Sequence, residues 1–159
     1  MIQKALFMIL VSLMIACVSV KSESAMGKGA MGININYPGV GVKYGLSDKT
    51  AAELKLQTGD NINIVGLRYY KYISPESFTS LFWGAEGDYV SFKGSGSEGT
   101  GYAGGVFLGG ESFILSNLGI MLDVGAMYIG LADNTTKESV AGFEPVINIG
   151  INIYLGGGR

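Results

Sequence analysis

The stretch that decides the fold is residues 147–155, INIGINIYL, in which every second residue is isoleucine or leucine. The positions between them hold asparagine, glycine and tyrosine. Because successive side chains of a β-strand point to opposite faces, this period of two predicts a strand with one aliphatic face and one small, polar face. The alternation alone leaves open which of these faces points into the protein.

The same alternation recurs along the chain, and no segment has a sustained helical period. Turn-forming residues divide the sequence into eight expected strands, at residues 30–37, 40–46, 51–58, 61–73, 81–92, 102–113, 118–131 and 143–155. A change of parity near Val65 and Gly66 suggests a β-bulge there. The pattern therefore predicts an all-β, up-and-down antiparallel meander.

The composition limits the classes of protein to which the chain can belong. Its 159 residues suit one domain, and only 15% of them are charged, against about 25% in an ordinary soluble domain. After the first twenty residues no apolar run is long enough for a spanning helix, which needs about 20 residues. The net charge of −2 indicates no basic surface for nucleic acid.

The N-terminal segment is typical of an export signal. Lys4 precedes an apolar run at residues 5–20, and small side chains follow it, so residues 1–22 are expected to be a signal peptide and residues 23–159 a barrel domain. Cleavage after Ser24 and retention of the segment as an anchor are alternatives. Cys17 closes LMIAC, a loose match to a lipidation signal, and is otherwise an ordinary signal-peptide residue.

The difference between the two faces of the expected strands favours a membrane barrel over a water-soluble one. One face is rich in small residues: Gly32, Gly41, Gly45, Gly84, Gly105, Gly109, Gly119, Gly125 and Gly150. Such residues suit the narrow interior of an eight-stranded barrel, whereas a water-facing surface usually carries long charged side chains. The other face is bulky and suits hydrocarbon: Ile33, Val42, Leu54, Leu67, Trp83, Val106, Leu108, Ile120, Leu122, Val124 and the aliphatic row of residues 147–155.

Aromatic residues concentrate near the strand ends: Tyr37, Tyr44, Tyr69, Tyr72, Trp83, Tyr89, Tyr102, Tyr128 and Phe143. Rings at both ends of lipid-facing strands form the interfacial girdles of membrane barrels, although ordinary β-propensity also enriches aromatics. Pairing the first strand with the last would remove an aggregation-prone edge. The prediction is a closed transmembrane β-barrel.

The small-residue face also carries charges of both signs: Lys43, Glu53, Lys55, Arg68, Glu86, Glu111 and Asp123. In a narrow lumen such charges persist only when paired, which predicts a salt-bridged plug. A pore or a binding site lined by these groups is the alternative.

On these residues, the mature chain resembles the small eight-stranded outer-membrane β-barrel proteins of Gram-negative bacteria. The last strand resembles their assembly signal, with Asn148, Gly150, Ile153 and Leu155 at the matching places. The resemblance implies location in the outer membrane, contact with its lipid and insertion by the barrel-assembly machinery. It does not imply one activity, and we expect a monomer.

The expected function is structural or surface-interacting rather than enzymatic. With no histidine, candidate nucleophiles such as Ser91 and Ser112 lack the usual base, and Glu86 with Asp88 do not complete a metal site. No cofactor is expected. Residues 93–101 and 132–142 are predicted to be long loops at one end, where a surface ligand could bind. The alternatives are a soluble barrel that carries an apolar ligand and a small outer-membrane channel.

Overall fold

The computed structural model describes residues 27–36, 39–73, 79–94 and 96–155, so the predictions for residues 1–22 and for Cys17 lie outside it. Eight strands follow one another: β1 (Met31–Asn36), β2 (Gly39–Ser47), β3 (Thr50–Gly59), β4 (Ile62–Tyr72), β5 (Thr79–Gly94), β6 (Ser97–Leu115), β7 (Leu118–Asp133) and β8 (Ser139–Leu155). The described part contains no helix long and apolar enough to span a membrane.

The eight strands form a closed antiparallel barrel in sequence order, as predicted. The ring closes between β1 and β8, where Ile33 pairs with Ile153 and Asn34 with Asn152. Both strands carry isoleucine at alternate positions, so their pairing matches aliphatic with aliphatic residues and asparagine with asparagine. The closure removes the edge that either strand would otherwise expose over this length.

The aliphatic residues lie on the outside of the barrel and the small and charged residues lie inside. On β8, Ile147, Ile149 and Ile151 are exposed, whereas Gly150 and Asn152 are buried. The same alternation of exposed and buried positions runs through β1 and β2. A row that would be the core of a soluble barrel is therefore an outer surface here.

The expected bulge at Val65 and Gly66 is wrong. β4 pairs with β3 and β5 in an unbroken register through these residues. The alternation of apolar and polar residues changes phase because two isoleucines, Ile62 and Ile64, occupy inward positions near the end of the strand. The register shifts instead between Gly45 and Ser47 and between Phe113 and Leu115.

The two expected long loops are also wrong, because most of their residues belong to strands. β5 ends at Gly94 and β6 begins at Ser97, and only residues 134–138 separate β7 from β8. We call the end where β1 begins and β8 ends the lower end, and the opposite end the upper end. β5–β8 have 16 to 19 residues each and β1–β4 only 6 to 11. One half of the wall is therefore taller at the upper end.

Exposed aromatic residues form two belts on the outside. The lower belt is Tyr44, Tyr69 and Trp83, and the upper belt is Tyr89, Tyr102, Tyr128 and Phe143. Rings of the upper belt pair across strands, with centroids 5.5 Å apart for Tyr89–Tyr102 and 5.1 Å for Tyr128–Phe143. Tyr72 was expected in a girdle but lies inside the barrel, 2% exposed. Tyr37 lies outside the described residues.

Candidate functional site

The structure places all seven predicted inward charges inside the barrel. They are Lys43, Glu53, Lys55, Arg68, Glu86, Glu111 and Asp123, each at most 8% exposed. Asp88, which the sequence analysis treated only as a weak metal ligand, lies beside them and is equally buried. Three cations thus face five carboxylates, and side chains fill the middle of the barrel.

The charges nearer the upper end form what we call the upper cluster, which is centred on Arg68. Its Nε lies 2.9 Å from Glu86 Oε2, and its Nη2 donates a 2.9 Å hydrogen bond to Asp123 Oδ2. Lys55 pairs with Glu86 and lies 3.6 Å from Asp88 Oδ2. These residues come from four strands, so the cluster ties β3, β4, β5 and β7 together across the lumen.

The lower cluster uses tyrosine hydroxyls and amides more than ion pairs. Glu111 accepts hydrogen bonds from the hydroxyls of Tyr72 and Tyr154, at 3.0 and 2.5 Å, and from Asn152 Nδ2 at 2.6 Å. Lys43 Nζ is 3.9 Å from a carboxylate oxygen of Glu111. A carboxylate that accepts several hydrogen bonds can stay charged while buried, which explains why one lysine suffices here.

Glu53 completes the lower cluster on the opposite side of Lys43. Its Oε2 accepts a 2.7 Å hydrogen bond from the Tyr70 hydroxyl and lies 3.9 Å from Lys43 Nζ. The Lys43 ammonium also lies 4.2 Å from the centroid of the Tyr70 ring. The lysine therefore has two carboxylates and a π-face as neighbours and no contact with solvent.

An aromatic layer separates the two clusters. Tyr70 packs edge to face with Phe82 and Phe107, at centroid distances of 5.4 and 5.3 Å. The Arg68 guanidinium carbon lies 4.0 Å from the centroid of the Phe107 ring. These rings give the guanidinium a π-face beside its carboxylates.

Inward glycines provide the space that these side chains occupy. A Cβ at Gly119 would lie 2.6 Å from Glu111 Oε1, and one at Gly109 would lie 2.5 Å from the Phe82 ring. A Cβ at Gly41 would meet Glu53, and one at Gly66 would meet Asp88. The glycine-rich face is thus the complement of the large residues that project from neighbouring strands.

Sequence reasoning missed the uncharged partners of the network. Tyr70, Tyr154, Asn34 and Asn152 are all buried. Tyr70 donates to Glu53, Tyr154 and Asn152 donate to Glu111, and Asn34 donates to Asn152. The inward parity of Asn34, Asn152 and Tyr154 was readable in the sequence, because they alternate with aliphatic residues, whereas Tyr70 lies between Tyr69 and Lys71. The pairing of these residues was not readable, because it joins residues up to 118 positions apart.

The residues of the predicted assembly signal divide between the two faces. Asn148 and Gly150 point inward, and Asn148 Nδ2 donates a 2.8 Å hydrogen bond to Asp123 Oδ1. Ile153 and Leu155 lie on the outer face at the lower end, where Leu155 pairs with Met31. The last two residues of this set thus add to the apolar outer surface, while Asn148 joins the upper cluster.

Ser91 and Ser112, which the sequence analysis considered as nucleophiles, lie on β5 and β6. Ser112 shares a 2.9 Å hydrogen bond with Thr79, and Ser91 lies on the outer face of β5. Among the described residues, no three metal-ligating side chains are close enough to hold a metal ion. No protein-family model and no curated protein matches the chain.

Proposed function

We propose that the chain is an integral outer-membrane β-barrel protein whose lumen is closed by its own side chains, with a structural or surface-interaction role. The observation that carries the proposal is the outer surface. A band of exposed aliphatic side chains encircles a closed barrel. The lower aromatic belt borders this band on β2, β4 and β5, and the upper belt borders it on β5–β8. This is the surface that a bilayer requires of a β-barrel.

The height of the band is at the low end for a membrane barrel, whose apolar band is about 25 Å tall. Trp83 and Tyr89 are six residues apart on β5, and Tyr44 lies lower than Trp83. At ~3.3 Å per residue and a strand tilt of about 40°, the belts are separated by roughly 15 to 20 Å at their centres. Polar residues, including Lys93 and Glu98, follow beyond the upper belt.

The outward position of the aliphatic row favours a membrane protein over a soluble carrier of an apolar ligand, which would need that row inside. The buried, paired charges favour a plug over a channel, since an open pore would leave Arg68 and its partners in contact with water. In this proposal the upper end is outside the cell, and a surface partner would bind the short turn at residue 96 or the turn at 134–138.

Membrane fractionation of the expressing cell tests the location. We expect the protein in the outer-membrane fraction, resistant to extraction by high salt and released by detergent, because its lipid contact is apolar burial rather than charge. Recovery in the periplasmic fraction without detergent would reject the proposal.

Planar-bilayer conductance of the refolded mature protein tests the plug. We expect no steady single-channel current, because about eight strands leave room only for the side chains that fill this lumen. Large, steady currents from the unmutated protein would replace the plug with a channel.

A further inference from the structure

Among the described residues, the wall of the barrel has a gap on one side of β8. β1 pairs with β8 only from Gly150 to Leu155, and its described part ends at Asn36. β8 continues toward the upper end as far as Ser139, and over that length the pairing of the described residues is with β7 alone. The upper end of β2 is at about the same height as the upper end of β1, since Asn36 pairs with Gly39. The gap is therefore more than one strand wide.

Pro145 lies on the open edge, and its backbone nitrogen points into the gap. The Tyr154 N–H donates to Asn117 at the foot of β7, so the even-numbered residues of β8 direct their backbone groups toward β7. Odd-numbered residues, Pro145 among them, direct theirs the other way. A proline there has no N–H to leave unpaired in hydrocarbon, and it blocks the addition of a partner strand.

The gap lies between the two aromatic belts. Phe143 of the upper belt is seven residues further along β8 than Gly150, which corresponds to roughly 15 to 20 Å of barrel height at ~3.3 Å per residue and a tilt of about 40°. Pro145 and Ile147 lie within this interval. In a bilayer the gap would open onto lipid acyl chains rather than onto water.

The inward side chains next to the gap come from β7 and β8. Val146 is half-buried and Met127 is buried, whereas Glu144, which also points inward, is exposed. The upper cluster lies below them, where Asn148 donates a hydrogen bond to Asp123.

We infer that the gap beside Pro145 is a lateral opening through which an acyl chain of a membrane lipid enters the upper half of the barrel and contacts Val146. The inference rests on the proposed function, because it requires hydrocarbon at the height of the gap. The occupant is a hydrocarbon chain because the gap lies between the two belts, Val146 and Met127 face it, and Pro145 presents no N–H to a polar guest.

Tryptophan quenching by lipids that carry bromine on their acyl chains tests the inference. The protein has one tryptophan, Trp83, on the outer face. Val146→Trp and Ile64→Trp are each made in a Trp83→Phe background and refolded into vesicles of brominated or ordinary phosphatidylcholine. Both positions are inward and half-buried in the upper half, but Ile64 lies on β4, which pairs with a strand on each side.

We expect strong quenching of Trp83 in the unmutated protein, comparable quenching in Val146→Trp, and less than half as much in Ile64→Trp. Equal quenching in the two inward variants, with Trp83 quenched, would overturn the lateral opening and leave the membrane proposal intact. Absence of quenching at Trp83 would overturn both. If Val146→Trp does not fold, Glu144→Trp, inward and exposed on the same edge, takes its place with the same expectation.

Discussion

Neighbouring residues on β4 contrast the two faces of the barrel. Leu67 is 61% exposed on the outer face, and Arg68, the next residue, is fully buried between two carboxylates and an aromatic ring. The outer face requires only that a side chain be apolar, whereas the inner face requires a particular partner for each group. The stability lost on substitution should therefore depend on the polarity of the new side chain on the outer face, and on which partner group is lost on the inner face.

The largest expected effect comes from Arg68→Ala. Removal of one partner from a buried ionic network costs about 3–5 kcal/mol, because Glu86 and Asp123 lose their cation. Leu67→Ala is the matched outer change and should cost roughly 1–2 kcal/mol of apolar contact. Urea unfolding of the refolded barrels in lipid vesicles measures both. Equal losses would mean that the inner network contributes no more than the outer surface.

A charge placed on the outer face should be the next most costly change. Ile149→Arg should lose about 2–4 kcal/mol near the middle of a bilayer, with less loss nearer either belt. Asn148→Gln, the adjacent inward change, should be milder, because Asn148 is half-buried and makes one hydrogen bond, to Asp123. Asn152 would be a poor control, since it is fully buried and bonded to Glu111. The same unfolding assay applies, and a costlier Asn148→Gln would reverse the assignment of the faces.

Two glycines of β5 give a smaller and sharper comparison. A Cβ at Gly84 would overlap the Phe107 ring and the Tyr69 carbonyl, whereas one at Gly87 would meet nothing within 4 Å. Gly84→Ala should therefore destabilise the barrel by about 1–3 kcal/mol through overpacking. Gly87→Ala should be neutral or slightly stabilising. Thermal unfolding in detergent distinguishes them, and similar midpoints would argue against a tightly packed interior.

The smallest expected effect is local and depends on pH. The pKa of Asp133 is lowered by hydrogen bonds from the Ser97 hydroxyl and from the backbone N–H groups of Thr135 and Thr136. Because the pKa is lowered, the charged carboxylate stabilises the turn at pH values above the ordinary pKa of 3.8. This stabilisation is lost as the pH falls through the lowered pKa of the folded protein.

Amide hydrogen exchange of residues 134–138 measures the opening of this turn. We expect faster exchange in Asp133→Asn than in the unmutated protein at neutral pH, once both rates are corrected for the intrinsic dependence on pH. Global stability should be unchanged, because the turn lies beyond the upper belt. Unchanged protection of the turn would show that Asp133 does not organise it.

Local pattern was enough to predict the strands, the closure and the two faces. The period of two at residues 147–155 separates aliphatic from small and polar residues, and the excess of glycine on the second face indicates a narrow interior. The inward positions of Lys43, Arg68 and Glu111 follow from the same parity. These are properties of neighbouring residues, so they can be read without knowledge of the fold.

Tertiary structure alone decided how the inward groups pair and where the wall is incomplete. Tyr72 is the residue type expected in a girdle, yet it occupies an inward position on β4. There its hydroxyl donates a hydrogen bond to Glu111 across the lumen. Residues 93–101 have the composition of a loop, yet pairing between the two strands extends β5 to Gly94 and starts β6 at Ser97. In each case the outcome depends on residues that only closure of the barrel brings into contact. The type of a side chain determines which interactions it can make, and the strand register determines which partner it meets.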